Sequence, residues 1–140
     1  MSKRATPVKV HRIATMGFTE LSTSDSAATR LFLEKTFQWK FDEIQMPNGK
    51  YHRYQSPEGN TLGIRRVEQS ESPNSMNYVR VEDLKQAEAR VREAGGKIIL
   101  PRTDIPSMGS FFWFKIPSGP MMACWQDAPQ PSRTVRTREH

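Results

Sequence analysis

Polar and apolar residues alternate along residues 14–22, with Met16, Phe18 and Glu20 on one parity and Gly17, Thr19 and Leu21 on the other. A period of two predicts a strand. Ser24 and Asp25 then stand at an N-cap position, ahead of Ala27, Ala28, Leu31 and Phe32 at helical spacing. Phe37 and Trp39 close that helix, and a strand is expected over 39–45. Turn chemistry at Pro47-Asn48-Gly49 and at 57–60 separates two more strands, 51–55 and 61–67.

After a polar linker, 68–75, the pattern restarts. Residues 76–81 alternate. Glu82 and Asp83 suit the first turn of a helix, where acids oppose the helix dipole favourably. Leu84, Ala87, Val91 and Ala94 make its apolar stripe, and Gly95-Gly96 offers a left-handed C-cap. A strand over 97–101, a loop over 104–109, an aromatic strand over 110–116, a turn over 117–120 and a last strand over 121–126 complete the chain's order. The halves match at a nearly constant offset: Asp25 to Asp83 is 58 residues, and Pro57 to Pro117 and Gly59 to Gly119 are both 60. Such an internal period, with element order β-α-β-β-β written twice, points to a duplicated α+β unit.

Composition narrows the setting. The chain has 140 residues, a one-domain length, and is 36% apolar with no run approaching the ~20 residues that cross a bilayer. The first residues are basic but lead into no apolar segment, so a secretory signal is not expected. A lone cysteine, Cys124, forms no internal disulfide, which agrees with a cytoplasmic setting. The formal charge of +6 is carried at the ends: residues 1–15 contribute +4 and residues 128–140 contribute +2, leaving a neutral middle. A nucleic-acid domain would place its basic face on the folded part, so no specific nucleic-acid or membrane partner is expected. The expected division is a flexible basic arm over 1–12, one domain over 13–127 (module one 13–67, linker 68–75, module two 76–127) and a flexible Pro/Arg-rich tail over 128–140.

The local sequence resembles a known superfamily. FTELSTSDSAATRLFLEKTFQW is similar to the first strand and helix of vicinal oxygen chelate proteins, the glyoxalase, bleomycin-resistance and extradiol dioxygenase group. YVRVEDLKQAEARVREAGGKIILPRTDIP resembles the second module, and PSGPMMACWQ its terminal turn and strand. The nearest branch is that described as predicted enzymes related to lactoylglutathione lyase. The resemblance implies two tandem βαβββ modules in a curved, open half-barrel sheet, helices on the convex face and a ligand cleft on the concave one. It implies a homodimer and a small-molecule ligand. In catalytic members a divalent metal is held by His, Gln or Glu on the first strand of each module and by Glu on the last strand of each. Carried over by register, those positions are Phe18, Gly63, Met76 and Ala123, none of which donates to a hard cation. A two-residue slip gives Glu20, Arg65, Tyr78 and Trp125, with one plausible ligand. No metal and no other cofactor is therefore expected.

By the same parity the cleft lining should include Phe18, Arg65, Met76, Tyr78, Arg80, Ala123 and Trp125; these, with Trp113 of the aromatic strand, are the expected ligand-binding residues. Met121 shares that parity, while Cys124 should turn toward the helices. Glu20, an acid in an apolar strand, is a candidate general base, or else an ion-pair partner of Arg65 or Arg80. His52 is the second candidate for proton transfer, or else a surface strand histidine. Arg65 suits bidentate grip of an anion, or else is a solvent-facing arginine at a strand end. In the strand 110–116, one half of the aromatic set must face the helices and the other the cleft, an alternation the sequence leaves open. The loop 104–109 is a candidate lid. Three functions follow: a metal-independent binding module, with sequestration or resistance as one form; a lyase- or isomerase-type enzyme using Glu20 or His52; or a regulatory protein acting through its basic tails.

Overall fold

The computed structural model describes residues 14–47, 49–68 and 70–129. The expectations for a basic arm and tail fall almost wholly outside these residues. Within them the order is β1 Ala14–Thr23, α1 Ser26–Phe37, β2 Asp42–Met46, β3 Gly49–Gln55 and β4 Thr61–Arg66. It continues with β5 Asn74–Val81, α2 Leu84–Glu93, β6 Lys97–Ile105, β7 Gly109–Lys115 and β8 Met121–Asp127. The eight strands form one curled half-barrel sheet in the order β2-β3-β4-β1-β5-β8-β7-β6. β1 runs parallel to β4, β5 runs parallel to β8, and β1 meets β5 antiparallel at the centre. Each module is thus half of the sheet, related to the other by an approximate two-fold between β1 and β5.

The repeat has a physical basis at its caps and turns. Asp25 and Asp83 each sit in extended backbone and accept from the amide three residues on, Ala28 N and Gln86 N, both at 3.0 Å. Those amides are among the unpaired donors of a helix start, so the same residue type recurs at the same place. Glu82 and Asp83 therefore precede α2 rather than fill its first turn. Gly59 (φ +97) and Gly119 (φ +125) occupy equivalent left-handed turn positions, with Gly59 N donating to Ser56 O and Gly119 N to Ile116 O. α2 stops as expected: Gly95 is left-handed and Gly96 N donates to Val91 O.

α1 and α2 pack differently. Leu84 is fully buried, with Ala87 and Val91 against a cluster of Val81, Phe112 and Cys124. The α2 N-terminus is also tied to the sheet, Leu84 N donating to the Gln126 side chain at 2.7 Å. α1 buries no residue fully; Leu31 and Phe32 stay exposed. Gln38 takes the left-handed conformation that ends α1, and Trp39 stacks on Tyr54 at 4.3 Å instead of opening a strand. β2 consequently starts at Asp42, later than the strand expected from Trp39.

Two further departures come from backbone irregularity. Pairing of β1 with β5 shifts between Met16 and Phe18, so Gly17 is a bulge. The bulge reverses the parity, and Met16 lies opposite Val79 rather than on the face of Phe18 and Glu20. In the second module, β6 runs on to Ile105, with Asp104 paired to Ser110. The stretch expected to be a lid is instead a tight hairpin, closed by Met108 N to Ile105 O and held by Ala128 N to Met108 O.

Candidate functional site

Four concave-facing side chains meet across β1, β3, β4 and β5. Glu20 Oε1 accepts from Arg65 Nε at 3.0 Å and from the Tyr78 hydroxyl at 3.1 Å; its Oε2 accepts from the Tyr51 hydroxyl at 3.0 Å. Strand register explains the convergence, because Glu20 lies opposite Gly63 of β4 on one side and Met76 of β5 on the other. Gly63 is required by space: a Cβ there would overlap the Tyr51 phenol, which crosses above it to reach Glu20. Of the two ion-pair partners considered for Glu20, the fold selects Arg65. Arg80 instead pairs with Asp127 at 3.3 Å at an exposed rim.

Arg65 is held on every side. Its Nη1 and Nη2 take both oxygens of Glu71, its Nη1 also donates to the Arg66 carbonyl, and its guanidinium lies 5.5 Å from the Trp113 ring centre. Burial works against its charge, but Glu71 and Glu20 outweigh that and hold its pKa above the ordinary arginine value. The same hydrogen bond from Arg65 holds Glu71 below the usual carboxylate range. Burial, reinforced by the negative Glu20, pushes the Tyr51 and Tyr78 hydroxyls well up, so both remain protonated donors.

Beside this cluster is a cavity of about 290 Å³. Glu20, Arg65 and Glu71 give it a polar wall, and Met76, Met121 and Trp113 an apolar one. Next to the cavity, aromatic rings pack against one another on the concave side. Phe18 stacks on Tyr78 at 4.5 Å, Trp125 meets Phe18 edge-on at 5.9 Å, and Phe111 lies against both Tyr78 and Trp125. Ala123 beneath them is fully buried. Of the residues read as ligand-binding, Arg65, Met76 and Trp113 therefore reach the cavity with Glu20. Phe18, Tyr78, Ala123 and Trp125 form a second core, and Tyr78 serves the site through its hydroxyl, which also accepts from Trp113 Nε1 at 3.1 Å.

His52 is not brought to the cleft. Alternation along β3 sends Tyr51 to the concave side and His52 to the side of α1, and His52 is 6% exposed, not a surface residue. Its Nδ1 has no hydrogen-bond partner. Burial, then the positive charge of Arg30, lowers its pKa below the ordinary value of 6.5, against weaker opposite effects of Glu43 and Glu34. The unfolded chain then binds more protons than the fold below about pH 6.5, so stability is present at neutral pH and lost as pH falls through that value. The melting temperature should drop between pH 7.5 and pH 5.5, and His52→Gln should flatten that slope. An unchanged slope in the variant would assign the pH dependence elsewhere. Cys124 turns toward α2 as expected, and burial pushes its thiol up to about 11.

Tyr51 and Glu71 were not foreseen as site residues. Period-two parity along β3 was a usable signal for Tyr51, with a glycine on the next strand leaving room for its ring. Glu71 lies in the linker, where no periodicity points anywhere.

Phe18, Gly63, Met76 and Ala123, the positions to which the resemblance carries the metal ligands, present an aromatic ring, a space occupied by the Tyr51 phenol, a thioether and a buried methyl. Among the described residues no three His, Cys, Asp or Glu side chains gather. The donor set does not fit a hard divalent cation.

No family model matches the chain. The fold has many solved counterparts. Methylmalonyl-CoA epimerase from Mycobacterium tuberculosis superposes with a TM-score of 0.65 at 10% identity, over 85% of this chain and 91% of that one. A hypothetical protein from Bacillus halodurans gives 0.67 at 10% identity, over 84% and 96%. This chain has the vicinal oxygen chelate fold. Sequence similarity agrees: "Putative glyoxylase CFP32" from Mycobacterium bovis, and its counterpart in Mycobacterium tuberculosis, are 24% identical over 122 residues, 83% of this chain. The chain spans about half the length of these curated relatives, 47%. Among the described residues, no helix is long and apolar enough to cross a membrane.

Proposed function

We propose that the chain is a metal-independent vicinal oxygen chelate protein that binds a small, partly apolar molecule in the cavity between Trp113, Met76 and Met121. The observation carrying this reading is that the cavity's polar wall is internally satisfied. Glu20 receives three donors and Arg65 receives two carboxylates, so the wall orients a ligand rather than presenting a bare base. An apolar pocket with a few fixed polar groups is the usual form of a small-molecule site. Retention without turnover, as in sequestration or resistance, is the version this wall supports. A homodimer accords with it, because Leu31, Phe32 and Phe37 of α1 are left exposed.

A second reading, an isomerase or lyase, is favoured by the position of Glu20 on the cavity wall, where among the described residues Oε2 takes the Tyr51 hydroxyl alone, and by the epimerase counterparts. The regulatory reading rests on tails that lie outside the described residues. The deciding experiment is a thermal-shift and calorimetric screen of small molecules, followed by mass spectrometry of each bound compound after prolonged incubation. Saturable binding with the compound recovered unchanged is expected. Conversion that Glu20→Gln abolishes while binding persists would replace the binding reading with the enzymatic one.

A further inference from the structure

Arg65 has one edge to offer a ligand. Its Nε is committed to Glu20 inside the sheet and its face lies over Trp113, which leaves the Nη1–Nη2 fork. That fork is already filled, and its occupant is a carboxylate: both oxygens of Glu71, a residue of the inter-module linker that also lines the cavity. Beyond Arg65, the Glu71 carboxylate takes the Glu68 amide at 2.8 Å. The geometry is that of a bidentate guanidinium–carboxylate complex, for which a planar fork is specific.

We propose that the Arg65 fork is a carboxylate subsite whose internal occupant is Glu71, and that the cavity takes apolar monocarboxylates by exchange with it. The inference rests on the cavity being a ligand site and adds the ligand's class. Exchange keeps the balance of charge at the fork, because one carboxylate replaces another and Arg65 stays paired with Glu20. The desolvation of the guanidinium is already met by the fold, so an entering carboxylate does not bear it again. Met76 and Met121 lie across the same cavity and supply the surface for the apolar body, their flexible thioethers adapting to its shape.

Glu71 is then a built-in competitor, and removing it should tighten carboxylate binding. If Glu71 occupies the fork nine-tenths of the time, the gain is about tenfold, since apparent affinity scales with the competent fraction. The test uses the full chain and two probes of one shape, 2-naphthoate and 2-naphthamide, titrated by calorimetry. Glu71→Gln and Glu71→Ala should each bind 2-naphthoate about tenfold more tightly than the native chain, with 2-naphthamide changed by less than about twofold. Arg65→Lys added to Glu71→Ala keeps the charge but loses the fork, and should abolish the gain. Circular dichroism and melting of each variant verify that it is folded. No gain in 2-naphthoate affinity, an equal gain for both probes, or a gain that survives Arg65→Lys overturns the inference while leaving the cavity reading in place. Failure of every form to bind either probe overturns both.

Discussion

Glu20→Ala should cost about 3–5 kcal/mol of stability, the range for removing one partner of a buried ion pair. The Glu20 side chain is 11% exposed and that of Arg65 is 18%, so neither relies on water. Its loss strands three donors at once: Arg65 Nε and the hydroxyls of Tyr51 and Tyr78. The tyrosines cannot ionise to compensate, since burial holds both hydroxyls protonated. Glu20→Gln keeps the volume and one acceptor oxygen, so a smaller loss, about 2 kcal/mol, is expected. Denaturant unfolding at pH 7 measures both. A loss under about 1 kcal/mol for the alanine variant would mean that the cluster is not a structural hub, and Glu20 would return as a candidate base.

Gly63→Ala should cost about 3 kcal/mol or more, although it adds a single methyl group. The methyl would occupy the space of the Tyr51 phenol, so either the ring leaves Glu20 or the strand moves. The first route loses a hydrogen bond to a charged acceptor, and the second disturbs the β1–β4 pairing. Two origins of the loss, overlap with the ring or backbone conformation, separate in a double-mutant cycle. In a Tyr51→Ala background the overlap is gone, and Gly63→Ala should be nearly neutral there; residues in direct contact are where additivity fails. Equal losses in both backgrounds would assign the glycine a backbone role instead. Gly63 carries no left-handed φ, unlike Gly59 and Gly119, which is why space is the expected cause.

Much of the architecture was legible because caps, turns and alternation are local. Asp25 and Asp83 act through amides three residues away, and Gly59, Gly95 and Gly119 through their own φ. Parity along β4, β5 and β8 also held, which put Arg65 and Met76 at the cavity and Cys124 toward α2. Parity failed at Met16, where the Gly17 bulge inserts a residue, and strand ends failed at Trp39 and Asp104, where ring stacking and hairpin pairing decide.

The sequence by itself determined the duplicated βαβββ order and the faces of β4, β5 and β8, because each follows from residue type and period. Tertiary structure decided the rest. It chose Arg65 over Arg80 for Glu20, sent Phe111 and Trp113 inward and Phe112 and Phe114 toward α2, and packed Phe18, Tyr78, Phe111 and Trp125 against one another on the concave face. It also placed Glu71, 51 positions along the chain from Glu20, on the same guanidinium. These are contacts between residues distant in sequence, set by strand register and by which volumes fill one space, and no local pattern encodes them.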